Sequence, residues 1–160
     1  MVKLYKRVKG KLHYHEAWCA DGGVVEHWGV VGKSGKVKEH VLAKRANKAG
    51  AIKQILQSAV AQGFAPIPLE KHAMLVIEYR VADFGSSKDG EKRHALQERM
   101  DEALGWTGIG HCDGSSTGAG AMEVSCYVVD FDLAKQFIEA DLSGSDFGDY
   151  ARIYCEDTAT

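Results

Sequence analysis

Three lysines, Lys33, Lys36 and Lys38, follow closely behind Trp28 in the stretch EHWGVVGKSGKVKEH, residues 26–40. Ammonium groups at this density neutralise phosphates and release condensed counterions, which gives salt-sensitive, sequence-independent binding. A neighbouring tryptophan offers an apolar ring on which a base can stack. Lys44, Arg45, Lys48 and Lys53 extend the basic run, and Lys3, Lys6, Arg7, Lys9 and Lys11 crowd the start of the chain. The competing reading of the same residues is a solvated hairpin around a core tryptophan.

Other residue types could do other chemistry. His111, Cys112 and Asp113 adjoin in HCD, which invites a nucleophile and its base. Neighbours on a strand point to opposite sides, however, so this order does not pair a thiol with an imidazole. No Gly-x-Ser-x-Gly elbow is present. GIGHCDGSSTGAG is glycine-rich, but it leads into a strand, whereas a phosphate loop leads into a helix N-terminus. The sequence therefore predicts a flexible hairpin loop over DGSSTGAG. His13 and His15 share a strand face, and His27 and His40 lie on nearby strands, yet no tight ligand spacing marks a metal site. Cys19, Cys112, Cys126 and Cys155 show no Cys-x-x-Cys pairing and read as reduced, mostly buried thiols.

The charge is unevenly distributed. Residues 1 to 70 hold twelve Lys and Arg against five Asp and Glu, and the rest holds eight against seventeen. A split of this kind predicts two units with different electrostatic partners, or units that attract one another. We place them at 1–68 and 69–160, with FAPIPLEK and its two prolines as the linker.

The first unit must position the lysines. Alternation in KLYKRVKGKLHYHEAWCA predicts two strands joined near Gly10. VVEHWGVVG and GKVKEHVLA supply two more around a Lys-Ser turn. A helix over roughly 45–62 then turns Ile52, Ile55, Leu56, Ala59 and Val60 inward. The second unit reads β-α-β-β-α-β, the split βαβ arrangement of ferredoxin-like folds. Its helices are expected over 89–104 and over FDLAKQFIEADL. Leu75, Ile77, Tyr79, Met122, Val124, Cys126, Val128, Ile153 and Cys155 should face them. Tyr127, Tyr150, Arg152 and Tyr154 should face away, beside Glu78, Arg80 and Glu123. The expected class is α+β: an antiparallel sheet plus helix, then a ferredoxin-like βαββαβ unit.

The first unit resembles a WGR domain, a small module named for a Trp-Gly-Arg run in a central strand. Trp28 and Gly29 match that run, and Val30 stands at the arginine position. Gly32, the hairpin Gly35 and the downstream helix ending at Gly63-Phe64 also fit. The resemblance covers somewhat under half the chain. WGR domains in poly(ADP-ribose) polymerases contact damaged DNA and neighbouring domains. The resemblance implies nucleic-acid contacts for Trp28 and the nearby lysines.

The sequence thus reads as a binding protein rather than an enzyme, with no cofactor and no metal. DNA or RNA is the expected partner of Trp28, Lys33, Lys36, Lys38, Lys44, Arg45 and Lys48. A protein is the expected partner of Tyr127, Tyr150, Arg152 and Tyr154, since tyrosine and arginine favour interfaces. A second copy of the chain could be that protein. The strongly acidic second unit suggests an alternative, an inhibitor or immunity-type protein that blocks a toxin. An uncharacterised enzyme ranks third. No run is long and apolar enough to span a membrane. The start lacks a signal-peptide core, so a cytoplasmic site is expected.

Overall fold

A computed structural model describes residues 1–156. They form two four-stranded antiparallel sheets and three α-helices, an α+β protein. Backbone contacts divide the chain into two compact units, Met1–Ile67 and a second beginning at Pro68.

The first unit contains β1 (Val2–Val8), β2 (Lys11–Ala20), β3 (Gly23–Val30), β4 (Lys36–Val41) and α1 (Lys48–Ala61). The strands pair in chain order. Lys9 and Gly10 both take positive φ, the signature of a tight hairpin turn whose twist matches its strands. One face of this sheet packs Leu4, Ala17 and Val24 against Ile52, Leu56 and Ala59 of α1. Val60, expected inward, is 56% exposed. The helix also begins later than its basic approach suggests. Asn47 adopts extended backbone and its side chain accepts from the Gly50 N–H, which fixes the start at Lys48. Lys44 and Arg45 therefore lie in a turn ahead of α1, not along it.

The second unit contains β5 (Ala73–Arg80), α2 (Ser87–Trp106), β6 (Gly110–Gly118), β7 (Ala121–Val128), α3 (Phe131–Leu142) and β8 (Arg152–Glu156). The order across the sheet is β6-β7-β5-β8, the split βαβ order. A reciprocal capping box between Ser86 and Asp89 starts α2, and the Asp130 carboxylate starts α3. Leu96, Met100 and Leu104 of α2 and Ala134, Ile138 and Leu142 of α3 are fully buried. Arg99 of α2 donates to the Asp141 carboxylate of α3 at 2.8 Å, which ties the two helices side by side. β7 shows strict alternation, with Met122, Val124, Cys126 and Val128 buried and their neighbours half-exposed.

Two expectations for this unit are corrected. DGSSTGAG is not a loop: β6 runs through Gly118, and the turn is confined to Ala119-Gly120, both at positive φ. Pairing with β7 satisfies its backbone, while glycine and serine give no side-chain pattern to announce it. Cys155, expected under the helices, is exposed on β8. Among the described residues, no helix is long and apolar enough to cross a membrane.

Candidate nucleic-acid interface

The glycines around Trp28 set the local architecture. A Cβ on Gly29 would lie 2.9 Å from the Gly35 Cα and 3.1 Å from the Tyr14 hydroxyl oxygen. A Cβ on Gly35 would lie 2.5 Å from that same oxygen. Both glycines are therefore required where the β3–β4 hairpin closes over the Tyr14 ring. Their first role is packing.

Register then sorts the side chains. Trp28 faces His15 on β2 and Lys36 on β4 across the ladder, and Glu26 faces Lys38. All five lie on the side of the sheet that carries Leu4, Ala17 and Val24. Trp28 is half-buried but stands outside that helix-covered cluster. Its ring tilts against His15 at 5.7 Å between centroids, and His15 meets Phe64 edge-on at 5.9 Å. Lys33, Lys36 and Lys38 are exposed. The result is an aromatic platform with ammonium groups beside it, a combination suited to a phosphate chain and a base.

Glu26 anchors this platform. His15 Nε2 and His40 Nε2 each donate to one of its oxygens at 2.7 Å. Burial opposes the charged form, but the hydrogen bonds from His40 and His15 outweigh it and hold the carboxyl below its usual range. The carboxylate thus links β2, β3 and β4, opposite Lys38 in the ladder.

The opposite face holds the fourth histidine. His27 is 1% exposed and its Nδ1 donates to Glu16 Oε1 at 2.8 Å. Glu16 Oε2 receives Lys3 Nζ at 3.1 Å. The Tyr14 hydroxyl lies 3.0 Å from His27 Nε2 and 3.2 Å from the Lys33 carbonyl oxygen. Burial first, and then the Glu16 charge, push the Tyr14 hydroxyl up to about 12. This chain of hydrogen-bonded partners ties β1, β2 and β3 together. His27 thus lies across the sheet from His15 and His40, so the four histidines do not meet at one point. Among the described residues, no cluster of three or more His, Cys, Asp or Glu is arranged to hold a metal ion.

The remaining basic candidates scatter. Lys44 and Arg45 are exposed in their turn. Lys48 donates to the Ala20 carbonyl at 2.8 Å and so serves the fold. Lys6 is likewise engaged, with the Gln62 carbonyl.

No protein family, curated protein or solved structure matches this chain.

In the second unit, Tyr127, Arg152 and Tyr154 lie on the open side of the sheet. The Arg152 guanidinium stacks 4.3 Å over the Tyr154 ring and donates to Glu78 at 2.6 Å. The Tyr154 hydroxyl donates to Glu123 at 3.1 Å. Tyr127 lies against His111, with ring centroids 5.8 Å apart. Tyr150 does not join them. It precedes β8 and meets Tyr79, a buried residue of the helix-facing side, edge-on at 6.5 Å. Strand alternation cannot be carried past Arg152, where β8 begins.

Sequence reasoning missed that His15 lies against Trp28, that Phe64 meets His15, and that Glu26 joins His15 to His40. Residue parity carried part of the signal. Trp28 and His27 adjoin, so they must face opposite sides. The cross-strand partners required the register.

Proposed function

We propose that residues 1–68 form a WGR-like module that contacts DNA or RNA through its Trp28 face. The observation that carries this reading is the placement of Trp28. It is half-exposed, tilted against the His15 ring, directly across from Lys36, and outside the helix-covered cluster. A tryptophan serving only the core would be enclosed by apolar neighbours. Val30 occupies the position of the motif arginine, so the exposed ammonium groups of Lys33, Lys36 and Lys38 take over phosphate contact. A guanidinium fork fixes a phosphate bidentately, whereas lysines act as point charges. The expected binding is accordingly sequence-tolerant and steeply salt-dependent. Lys44 and Arg45, exposed in the turn ahead of α1, add positive charge to the same unit. The second unit mediates protein contacts through Tyr127, Arg152 and Tyr154.

Fluorescence anisotropy with labelled single-stranded, duplex and nicked DNA at low salt tests the reading. Binding should weaken by about tenfold or more in K33E/K36E/K38E, because three phosphate contacts are replaced by repulsion. The absence of any anisotropy change with all three DNAs would sink it.

A further inference from the structure

Cys112 and Cys126 are fourteen positions apart in sequence, yet their sulfurs lie 2.9 Å apart. They are direct partners on β6 and β7. Residues opposed in an antiparallel ladder have Cα atoms about 4.5 or 5.5 Å apart. Both spacings fall in the range of roughly 4.4–6.8 Å that a disulfide spans. No backbone rearrangement is then needed to join the two sulfurs.

A bulge creates this pairing. From Gly118 back to Gly114, each β6 residue faces the β7 residue set by the Ala119-Gly120 turn. Continued without interruption, that register would place Cys112 opposite Tyr127. The register shifts between Cys112 and Gly114, with Asp113 as the extra residue, and Cys112 comes to face Cys126. The Asp101 carboxylate of α2 accepts the Cys112 N–H at 3.0 Å and holds the bulged strand in place.

We infer that Cys112 and Cys126 are a reversible dithiol–disulfide pair, oxidised by exchange with a low-molecular-weight disulfide. The two cysteines are placed for different steps. Cys112 is partly exposed and sits on the edge strand of the sheet, where a reagent can reach it. Cys126 is fully buried beside it. The Cys112 sulfur attacks one sulfur of the small disulfide, whose S–S bond breaks and releases one small thiol. Cys112 is then held as a mixed disulfide. Cys126 gives up its proton and attacks the Cys112 sulfur, breaking the mixed bond and releasing the second small thiol. Two protein thiols are oxidised by two electrons, one small disulfide is reduced to two thiols, and both protons leave on those thiols. The Cys112 sulfur and then burial push the Cys126 thiol up, with Asp101 and Asp113 adding to the effect. Exchange should therefore be slow near neutrality and accelerate as pH rises, since the thiolate is the nucleophile.

Cys19 and Cys155 are exposed and would react without a partner. The experiment uses the full chain carrying Cys19→Ser and Cys155→Ser, incubated folded with oxidised glutathione, quenched with an alkylating reagent and examined by mass spectrometry. The expected product has lost two hydrogens, carries no glutathione, and yields a linked Cys112–Cys126 peptide pair that dithiothreitol separates. With Cys126→Ala added, a glutathione adduct should accumulate on Cys112. With Cys112→Ala added, Cys126 should stay unmodified. If both thiols remain alkylatable at saturating oxidised glutathione, or a stable Cys112 adduct persists with Cys126 present, the inference is overturned.

Discussion

In the second sheet, Leu75, Ile77, Val124, Cys126 and Val128 are fully buried and face α2 and α3. In the first, a single helix covers only Leu4, Ala17 and Val24, and the opposite face buries Tyr14, His27 and Glu16. The sheets share strand number and antiparallel pairing. They differ in what holds them. The second is closed by hydrophobic area, which is non-directional and tolerant of detail. The first adds to a smaller apolar cluster a set of hydrogen-bonded charges on its other face, which are directional and costly when incomplete. The economy of cover over the first sheet is also what leaves Trp28 and its lysines at the surface.

Substitutions should separate these two modes of support. The largest effect belongs to the aliphatic core: Ile138→Ala should cost about 2–5 kcal/mol in chemical denaturation, since it removes methylenes and leaves a cavity. A cost under about 1 kcal/mol would mean the second core is looser than its burial indicates. His27→Ala comes next, at about 3 kcal/mol, because the buried Glu16 carboxylate loses a donor that Lys3 alone does not replace. If the second core carried the first sheet as well, this substitution would be nearly neutral. Gly29→Ala should cost about 1–3 kcal/mol through the collision with Gly35 and Tyr14. A neutral result would contradict the packing role of the Trp-Gly pair.

The smallest effect is on pH dependence. The Glu26 carboxyl is held below its usual range in the folded state, chiefly by His40 and His15 against the opposing effect of burial. A depressed carboxyl stabilises above its unfolded pKa of about 4.3, and that stabilisation is lost as pH falls through the folded value. Melting temperature should therefore drop on acidification, and Glu26→Gln should flatten that drop while leaving the second unit's apolar core untouched. Parallel profiles for wild type and variant would remove Glu26 as a contributor.

Much of the second unit was legible because its strands and helices obey their periods. β7 alternates along its whole length, and α3 has the bounds that its apolar spacing implies. The part of β6 beyond Cys112 escaped because Gly114, Ser115, Ser116 and Gly118 carry no hydrophobic pattern, and because Asp113 shifts the register midway. That same shift hid the Cys112–Cys126 pair. The start of α1 was misplaced because Lys44 and Arg45 suit a helix, whereas the Asn47 cap decides where it begins. Around Trp28, residue types pointed to the lysines. The convergence of His15 and His40 on Glu26 depends on three strands in register, which no local pattern encodes.

The claim that the Trp28 face of the first sheet meets a phosphate backbone is tested most directly by the salt dependence of DNA binding. The observed affinity of the full chain and of K33A/K36A/K38A for the same single-stranded DNA should be measured across a salt series. Each phosphate contact on a single strand contributes about 0.7 to the slope of log affinity against log salt. The account predicts a steep negative slope for wild type, shallower by about 2 units in the variant. Equal slopes would contradict it, because the lysines beside Trp28 would then release no counterions.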